Sequence, residues 1–381
     1  MKKLIIFLLF SFLITTPCFA TENQSGKGQI LDGEIIELDT KTDIPSNELD
    51  ETTPLEDLSI EKEVLKTGIQ KYYTFDKGIL KLHPHEKINF DFGAIGLMNW
   101  QLNSDDDYDL HSKYKFSSVD FVLSGQLNDY FDYKAQMFAE RNINEETILG
   151  DLWLRGKWKN YVAQIGRMRK PFAYEPTFSS YDLDFATRSQ VGRLFGDHRD
   201  SGGKIIGNYK YADVAMGLYA SMQDRPFWFG KHGIEFDSWL VLKPLANFPE
   251  KGELKIAGGI AVGDRDYSYD NYAAFASYKY KKFGLKTEYI YKEAAFYDEE
   301  KEASGFYIDG TYFLTDKLQA AIRFDSFDKD NQSHTRRTNE YVAGLNYFIN
   351  KKNTMLTLNY IFADENVNSH RVALQMRYRT W

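Results

Sequence analysis

Apolar and polar residues alternate with a period of two in one short segment after another, from about position 87 to the end of the chain. In the last such segment, Val372, Leu374, Met376 and Tyr378 alternate with small and polar residues. Because successive side chains of a β-strand point to opposite sides, each segment is predicted to be a strand with one apolar and one polar face. About sixteen such segments can be counted, an even number typical of outer-membrane barrels. The pattern therefore predicts an all-β fold, a transmembrane antiparallel β-barrel.

The predicted connections alternate between short turns and longer loops. Short turns fall near residues 128–129, 159–160, 209–210, 281–282, 316–317 and 350–353, and the somewhat longer connection 244–252 belongs to the same series. Longer loops fall at residues 101–112, 169–200, 222–234, 264–271, 293–304, 328–338 and 363–369, with a weak member at 142–147. This alternation is typical of barrels whose short turns lie in the periplasm. Both chain termini are then predicted to be periplasmic, in the outer membrane of a Gram-negative-type bacterium.

A soluble secreted β-sandwich or barrel would show a similar alternation, because antiparallel sheets often have one solvated face. Aromatic residues near the predicted strand ends favour the membrane barrel, since such barrels carry aromatic girdles at both interfaces. These residues are Trp153, Trp158, Tyr161, Tyr278, Tyr280, Tyr312, Phe313 and Tyr347. The sequence also ends in an aromatic residue, Trp381, directly after a predicted strand.

Residues 1–20 have the layout of a secretory signal peptide. Lys2 and Lys3 precede an almost wholly apolar run over residues 4–14, and the small residues Cys18 and Ala20 occupy the cleavage positions. A retained membrane anchor is the alternative, but the run is shorter than the ~20 residues of a spanning helix. Cleavage after Ala20 would remove the only cysteine, so the exported protein would contain no disulfide.

The acidic charge of the chain is concentrated near its N-terminus. Residues 21–66 hold 13 Asp and Glu against 4 Lys and Arg, a net charge of -9, whereas the whole chain has a net charge of -8. We expect residues 21–86 to be an acidic, mostly disordered segment, followed by the barrel domain over residues 87–381. Apolar residues near the end of the acidic segment would line either a short partner-binding helix or part of a plain solvated spacer. They are Leu55, Leu58, Val64 and Leu65.

A long irregular excursion interrupts the strand pattern between Gly166 and Arg199. Excursions of this length inside a compact β-pattern are functional or disordered, and the many aromatic and arginine residues argue against disorder. Residues 167–204 contain seven Lys and Arg against five Asp and Glu. As the third long loop of a closed barrel, the excursion is predicted to fold inward and narrow the lumen.

Basic residues of this loop and of the polar strand faces are the candidates for an anion path. They are Arg169, Lys170, Arg188, Arg193, Arg199, Arg323 and Arg371. A guanidinium group can bind phosphate through two hydrogen bonds, and rings of basic side chains in a narrow pore favour anions. Alternatively, these residues pair with acidic residues of the same loop and fix it to the wall. The acidic candidates are Glu175, Asp182, Asp184, Asp197 and Asp200.

Several motifs resemble those of the phosphate-selective porin family, the O/P type. They lie at residues 116–138, 151–154, 164–175, 179–180, 185–189, 198–202, 306–310 and 343–347. The most specific is residues 164–175, Gln-Ile-Gly-Arg-Met-Arg-Lys-Pro-Phe-Ala-Tyr-Glu. The resemblance implies an outer-membrane channel, a homotrimer, and an anion path lined by Arg and Lys. The chain departs from the family in ending with Trp381 instead of Phe and in having a less dense series of basic residues.

We therefore expect a passive outer-membrane channel for small anions, with phosphate or polyphosphate as candidate solutes. The alternatives are a general or weakly selective porin, or a non-conducting tether or adhesin. The sequence contains no G-x-S-x-G elbow and no metal-protease motif, so no enzymatic activity is expected. The pair His83 and His85 lacks a third nearby ligand, and we expect no metal, no cofactor and no nucleic-acid partner. Outer-membrane lipid is the expected surrounding partner.

Overall fold

The computed structural model describes residues 73–76, 79–85, 88–105, 110–139, 149–177, 179–195, 199–220, 233–264, 268–293, 301–332, 337–350, 353–364 and 368–380. This part of the chain forms one sheet of eighteen strands. Their bounds are β1 (Tyr73–Asp76), β2 (Ile79–His85), β3 (Ile88–Asp105), β4 (Leu110–Gln126), β5 (Phe131–Phe138), β6 (Leu149–Trp158), β7 (Tyr161–Arg169), β8 (Arg199–Asn208), β9 (Ala212–Tyr219), β10 (Ile234–Leu242), β11 (Glu253–Asp264), β12 (Ser268–Tyr280), β13 (Phe283–Lys292), β14 (Ala303–Phe313), β15 (Leu318–Asp328), β16 (Thr338–Asn350), β17 (Thr354–Asp364) and β18 (Ser369–Arg379).

Sixteen of these strands close into a barrel, as the sequence pattern predicted. Each strand from β3 to β17 pairs antiparallel with the next one, and the ring closes where β18 pairs with β3 from Ser369↔Asp105 to Arg379↔Ile95. Helical structure in the described ranges is short: the α-helix α1 (Gln190–Phe195) and the 3₁₀ turns Glu175–Thr177, Ser180–Asp182 and Pro249–Lys251. Among the described residues, no helix is long and apolar enough to cross a membrane.

The two faces of the strands are those that the period-two alternation predicted. In β15, Ile322 is 65% exposed, whereas the neighbouring Arg323 is 5% exposed. In β18, Met376 is exposed and Arg377 is buried. An apolar outer face over the whole barrel is unfavourable in water but suits the hydrocarbon of a bilayer. The polar faces therefore line the inside of the barrel.

A two-stranded hairpin precedes the barrel and corrects the predicted domain boundary. Strands β1 and β2 lie within residues 21–86, so the expectation of a mostly disordered segment is wrong for their residues. The edge of β3 that faces β18 is paired only from Ile95 onward, and β2 pairs with the preceding residues through Leu80↔Phe92. The hairpin thus covers a strand edge that would otherwise be open. The predicted signal peptide, the apolar residues 55–65 and Trp381 lie outside the described residues.

Two of the predicted long loops are shorter in the structure. Strands β11 and β12 pair up to Asp264↔Ser268, so only residues 265–267 remain of the predicted loop 264–271. Strand β3 likewise extends to Asp105 and β4 begins at Leu110, inside the predicted loop 101–112. The reason is that backbone pairing continues through polar residues at strand ends, where the side-chain pattern resembles that of a loop.

The aromatic residues near the short turns form the outer belt that was expected, with two exceptions, Trp153 and Phe313. Phe313 pairs with the buried Gln319 and lies 5.6 Å from Phe348, so it is on the polar face. Trp158 is 64% exposed and Tyr161 is 44% exposed at the short turn between β6 and β7. Trp153 was predicted to belong to this belt, and that prediction is wrong. Its ring lies 4.8 Å from the guanidinium of Arg155, two positions along β6, so both side chains are on the polar face.

Candidate functional site

The connection between β7 and β8 contains residues 170–195, here called the inner segment. Its backbone is held by side chains from the polar faces of distant strands. Glu288 of β13 accepts hydrogen bonds from the backbone N–H groups of Tyr174 and Glu175, the latter at 2.9 Å. Asn359 of β17 accepts one from the N–H of Ala186 at 2.7 Å. Because these strand residues lie on the polar face, we infer that the inner segment runs along the inside of the barrel wall.

The last strand, β18, provides a row of side chains that hold the middle of the inner segment. Gln375 donates to the carbonyl oxygen of Ala186 at 2.8 Å. The guanidinium of Arg377 donates to the carbonyl oxygens of Phe185 at 2.7 Å, Tyr181 at 3.3 Å and Leu183. These two β18 residues are two positions apart, so they share the inner face.

Both ends of the inner segment are also packed by apolar contacts. The ring of Tyr174 stacks on Phe275 of β12 with a centroid separation of 3.6 Å. At the other end, Phe195 of α1 contacts Phe327 of β15 edge-on at 5.3 Å. Trp239 of β10 belongs to the same buried cluster. The barrel interior beside β8–β15 is therefore partly filled by this cluster.

A buried charge network surrounds Glu175. Its carboxylate accepts from Arg323 at 2.9 Å and from the backbone N–H of Ser189 at 3.0 Å, and Arg188 donates to its carbonyl oxygen. Burial by itself would raise the pKa of Glu175, but the charges of Arg323 and Arg188 and the bonds from Ser189 outweigh it. The pKa is lowered from its ordinary value of 4.5, so Glu175 is an anion at neutral pH.

Lys170 begins the inner segment and forms an ion pair with Glu235 at the start of β10. Burial alone would lower the pKa of Lys170, but Glu235 and two further carboxylates raise it above the ordinary value of 10.5. The ammonium group is therefore charged and directed at the wall.

Three carboxylates on the inner face are each shared by two cations. Asp132 binds Arg155 through two hydrogen bonds of 2.8 and 2.9 Å and Lys157 at 2.6 Å. Asp151 binds Lys134 at 3.3 Å and Arg199 at 2.6 Å.

Glu340 of β16 is the third shared carboxylate. It binds Arg193 of α1 at 2.8 Å and Arg371 of β18. Asp132, Asp151 and Glu340 therefore each bring two cations together, six in all. We call the three clusters the shared-carboxylate clusters. Within these three clusters, basic side chains outnumber the shared carboxylates by six to three.

The structure places the seven predicted anion-path residues mostly in pairs with protein groups. Five of them form ion pairs: Lys170, Arg193, Arg199, Arg323 and Arg371. Arg169 donates to the carbonyl oxygen of Thr177 at 3.1 Å, and Arg188 donates to that of Glu175. Of the acidic partners predicted from the loop, Glu175 pairs with Arg323, Asp182 with Arg379 at 3.0 Å and Asp184 with Lys286. Asp197 lies outside the described residues.

The sequence interpretation missed the basic residues of β5 and β6. Lys134, Arg155 and Lys157 belong to the shared-carboxylate clusters but were not among the candidates, which came from the long loop and the C-terminal strands. The sequence did contain an indication of this cluster. Asp151, Arg155 and Lys157 are an even number of positions apart along β6, so they lie on the same face of the strand. Their pairing with β5 requires the register Lys134↔Trp153, which the sequence pattern alone does not provide.

Sequence and structure comparisons give concordant results. The family model described as Phosphate-selective porin O and P matches residues 251–379, about a third of the chain. This match includes the motifs at residues 306–310 and 343–347 but not the motifs between residues 116 and 202. A comparison with curated protein sequences gave no match.

Several solved structures share the fold at low sequence identity. The anion-selective porin from Comamonas acidovorans has a TM-score of 0.58 and 11% identity, covering 77% of this chain and 100% of that one. OmpF of Salmonella typhi, solved with daunomycin, has a TM-score of 0.57 and 13% identity, with coverages of 80% and 100%. A trimer form of OmpT of Vibrio cholerae has a TM-score of 0.50 and 13% identity, with coverages of 77% and 100%.

Identities of this size show a common fold and no more. The fold agrees with the closed barrel of sixteen antiparallel strands described above. The family match adds sequence evidence for the eight strands from β11 to β18. Residues 251–379 therefore match the phosphate-selective porin O and P family, within a chain whose described strands form a closed barrel with the fold of these porins.

Proposed function

We propose that this protein is an outer-membrane channel through which small anions diffuse passively, without any chemical reaction. The inner segment narrows the lumen, and ions pass between it and the strands that it does not cover. The short turns and both termini face the periplasm. Phosphate is the proposed solute among these anions.

The observation that carries this proposal is the excess of cations in the three shared-carboxylate clusters. In each cluster two basic side chains face one shared carboxylate, so basic groups outnumber acidic ones among the paired residues. In a narrow lumen with low-dielectric walls, a few such charges raise the local concentration of anions. Because every cation is also held by a carboxylate, its position is fixed and anion binding stays weak enough for release.

Phosphate fits one of these clusters best. Arg193 and Arg371 share Glu340, and their side chains are 31% and 21% exposed, respectively. A guanidinium offers five donors, so one carboxylate does not use them all. Two partly exposed guanidinium groups can therefore also donate to the oxygens of a passing phosphate.

A weakly selective porin is the second candidate, and one observation favours it. Arg323 binds both Asp309, at 2.6 and 2.8 Å, and Glu175, at 2.9 Å, and Arg188 also acts on Glu175, so two cations there face two carboxylates. This network lacks the positive excess of the shared-carboxylate clusters. If ions pass close to Arg323 instead, selectivity would be low.

Planar-bilayer recordings of the purified chain separate these candidates. We expect channels with a chloride-to-potassium permeability ratio above one, and block of chloride current by phosphate. The double change Arg193→Gln and Arg371→Gln should lower the ratio about fivefold or more, because each lost charge alters the energy of a nearby ion by about 0.5–1 kcal/mol.

Arg337→Gln is the matched control, since Arg337 pairs with Asp328 outside the clusters and is 49% exposed. An unchanged ratio in the double variant would contradict the role of this cluster. A ratio near one in the unmodified protein would favour the second candidate, a ratio well below one would contradict the anion preference, and absence of channels would contradict both candidates.

A homotrimer is the proposed assembly. It is supported by the family resemblance and by the trimer form of the similar barrel from Vibrio cholerae. Native mass spectrometry of the protein extracted in mild detergent should give three times the mass of the chain. A monomer mass under conditions that preserve other porin trimers would contradict it.

A further inference from the structure

Trp153 is a large aromatic side chain on the polar inner face of the barrel. It shares that face with Asp151 and Arg155 on β6, and its side chain is half-buried. It belongs to none of the three buried apolar clusters found among the described residues. An indole ring that meets water inside a polar lumen gains nothing from the surrounding membrane, so its place there needs another explanation.

Packing against Arg155 is one explanation of this ring, since the guanidinium lies 4.8 Å from the ring centroid. However, Asp132 already fixes the same guanidinium with two hydrogen bonds of 2.8 and 2.9 Å. A bidentate pair with a carboxylate sets both the position and the plane of a guanidinium. The ring is therefore not required to orient Arg155, and the two side chains place an aromatic surface next to a cation.

The neighbouring strands carry no side chain at the level of Trp153. Trp153 pairs with Gly166 of β7, and Gly166 pairs with Gly202 of β8. Gly166 has a φ of 127°, and a Cβ there would lie 2.2 Å from the carbonyl oxygen of Leu152, so a side chain is excluded. At Gly202 a Cβ would lie 2.7 Å from the buried ring of Tyr219. The wall beside the indole is therefore bare backbone, bounded on its far side by a second aromatic ring.

Gln164 of β7 adds a polar group without a partner to this part of the wall. In the strand register it lies between Arg155 of β6 and Lys204 of β8, and it is 2% exposed. Within the part of the chain that the structure describes, neither its amide nitrogen nor its amide oxygen has a hydrogen-bond partner. A buried amide without partners is costly, so it indicates a ligand or an ordered water that supplies the missing bonds.

Basic side chains flank the ring on β5 and β6. Lys134 is the cross-strand neighbour of Trp153, and Lys157 lies two positions beyond Arg155 on the same face. The side chain of Lys157 is 36% exposed, compared with 14% for Lys134 and 12% for Arg155. All three also pair with carboxylates of the shared-carboxylate clusters. A solute that reaches the indole through the lumen therefore meets cations beside it.

We propose that Trp153, Arg155 and Gln164 form a binding site for anions that carry a planar aromatic ring, such as aromatic carboxylates. The ring of the solute stacks on the indole, and its carboxylate accepts hydrogen bonds from the Arg155 guanidinium and the Gln164 amide. We call this the Trp153 site. It rests on the proposed function, to which it adds a class of organic anion.

Saturation-transfer NMR of the full chain in detergent measures weak binding without requiring conduction. Benzoate and cyclohexanecarboxylate are the probes, because they have the same charge and nearly the same size, but only benzoate is aromatic. Benzoate should bind about fivefold more tightly than cyclohexanecarboxylate. Trp153→Leu should remove this preference, and Trp153→Phe should retain most of it. Trp158→Leu is the matched control and should leave the preference unchanged, since Trp158 lies on the outer face of the same strand and is 64% exposed.

A second variant tests the amide. Gln164→Leu should weaken the binding of both acids about threefold, because it removes a donor to the carboxylate and leaves the indole in place. Unchanged binding of both acids would assign the amide to an ordered water and overturn its role in the site. The heat-dependent gel shift of barrel proteins verifies that every variant is folded.

Two outcomes would overturn the Trp153 site as a whole. One is equal affinity for the two acids, or no binding of either, in the unmodified protein. The other is equal weakening of both acids by Trp153→Leu, which would mean that the ring only positions Arg155. A protein that prefers benzoate but forms no channels would contradict the proposed function and leave the site standing, whereas an anion channel without the preference would do the reverse.

Discussion

Replacing Arg377 should loosen the inner segment without opening the barrel. The guanidinium is 2% exposed and donates to three carbonyl oxygens of the segment, those of Tyr181, Leu183 and Phe185. Arg377→Met keeps an unbranched apolar stem, although a shorter one, and removes the donors of all three bonds together with those to Gln375 and Thr357. The barrel strands keep their backbone pairing, because β18 remains bonded to β17 and β3.

The size of the effect follows from the hydrogen bonds. A bond from a charged donor contributes about 1.5–3 kcal/mol, and the bond to Tyr181 at 3.3 Å is weaker than that to Phe185 at 2.7 Å. Methionine also relieves the cost of burying a charge, which offsets part of the loss. We expect the free energy that holds the segment to the wall to fall by about 2–4 kcal/mol, or about 30- to 1000-fold in the opening equilibrium.

Hydrogen exchange of the Ala186 amide measures this opening directly, because that N–H donates to Asn359 across the same contact. Its protection should fall by the factor above in Arg377→Met. The control is Arg379→Met, which removes one partly exposed ion pair to Asp182 and should change protection less than about tenfold. Protection of Ala186 within a factor of three of the unmodified protein, with the gel shift intact, would refute the reasoning.

Three further changes test the charges and the packing of the site. Glu340→Gln leaves two cations without their shared carboxylate, so the chloride-to-potassium permeability ratio should rise about two- to fivefold; a fall would contradict the assignment. Because the pKa of Glu175 is lowered from 4.5, its contribution to holding the segment is complete above pH 4.5 and is lost as the pH falls through the lowered value. Open-channel noise should therefore increase only below pH 4.5, whereas Glu175→Gln should be noisy at neutral pH; noise that rises between pH 5 and 7 would exclude this group. Gly192→Ala would place a methyl group against the Glu175 carboxylate and should destabilise the attachment of α1 by about 1–3 kcal/mol, seen as added noise. Gly203→Ala, whose methyl group would meet only a backbone oxygen at 3.7 Å, should be silent, and equal noise in both variants would show that the Gly192 contact is unimportant.

The strand faces could be predicted from the sequence because alternation is a local property. The prediction that Arg323 and Arg371 lie on polar faces needed only the parity of their neighbours, and the structure confirms these faces. Trp153 was predicted to lie in the outer belt because it is near a strand end. Its position in the alternation along β6 predicts the opposite face. Trp153 shares the parity of Asp151 and Arg155 and is therefore inside the barrel.

The partners of the charged groups could not be predicted in the same way. Glu175 and Arg323 are separated by 148 positions, and Arg193 and Glu340 by 147. They meet only because the barrel closes and the inner segment crosses to the opposite strands. The registers of β5 with β6 and of β18 with β3 decide which cations share a carboxylate, and register depends on all the strands together.

Net charge was likewise a poor guide to the site. The excursion between Gly166 and Arg199 holds many arginines, yet they bind carboxylates or carbonyl oxygens of the wall and of the inner segment itself. The clusters on which the proposed anion preference rests are formed instead by carboxylates that each pair with two cations, in part on β5 and β6. A count of charges along the sequence does not contain this information, since it depends on which side chains lie within about 3–4 Å of each other.

The reversal potential of the unmodified, full-length protein in a planar bilayer under a KCl gradient is the most direct test of the central claim. If the cations of the three shared-carboxylate clusters set the local charge along the ion path, the reversal potential will be displaced toward the equilibrium potential of chloride. A displacement toward the equilibrium potential of potassium would contradict the account.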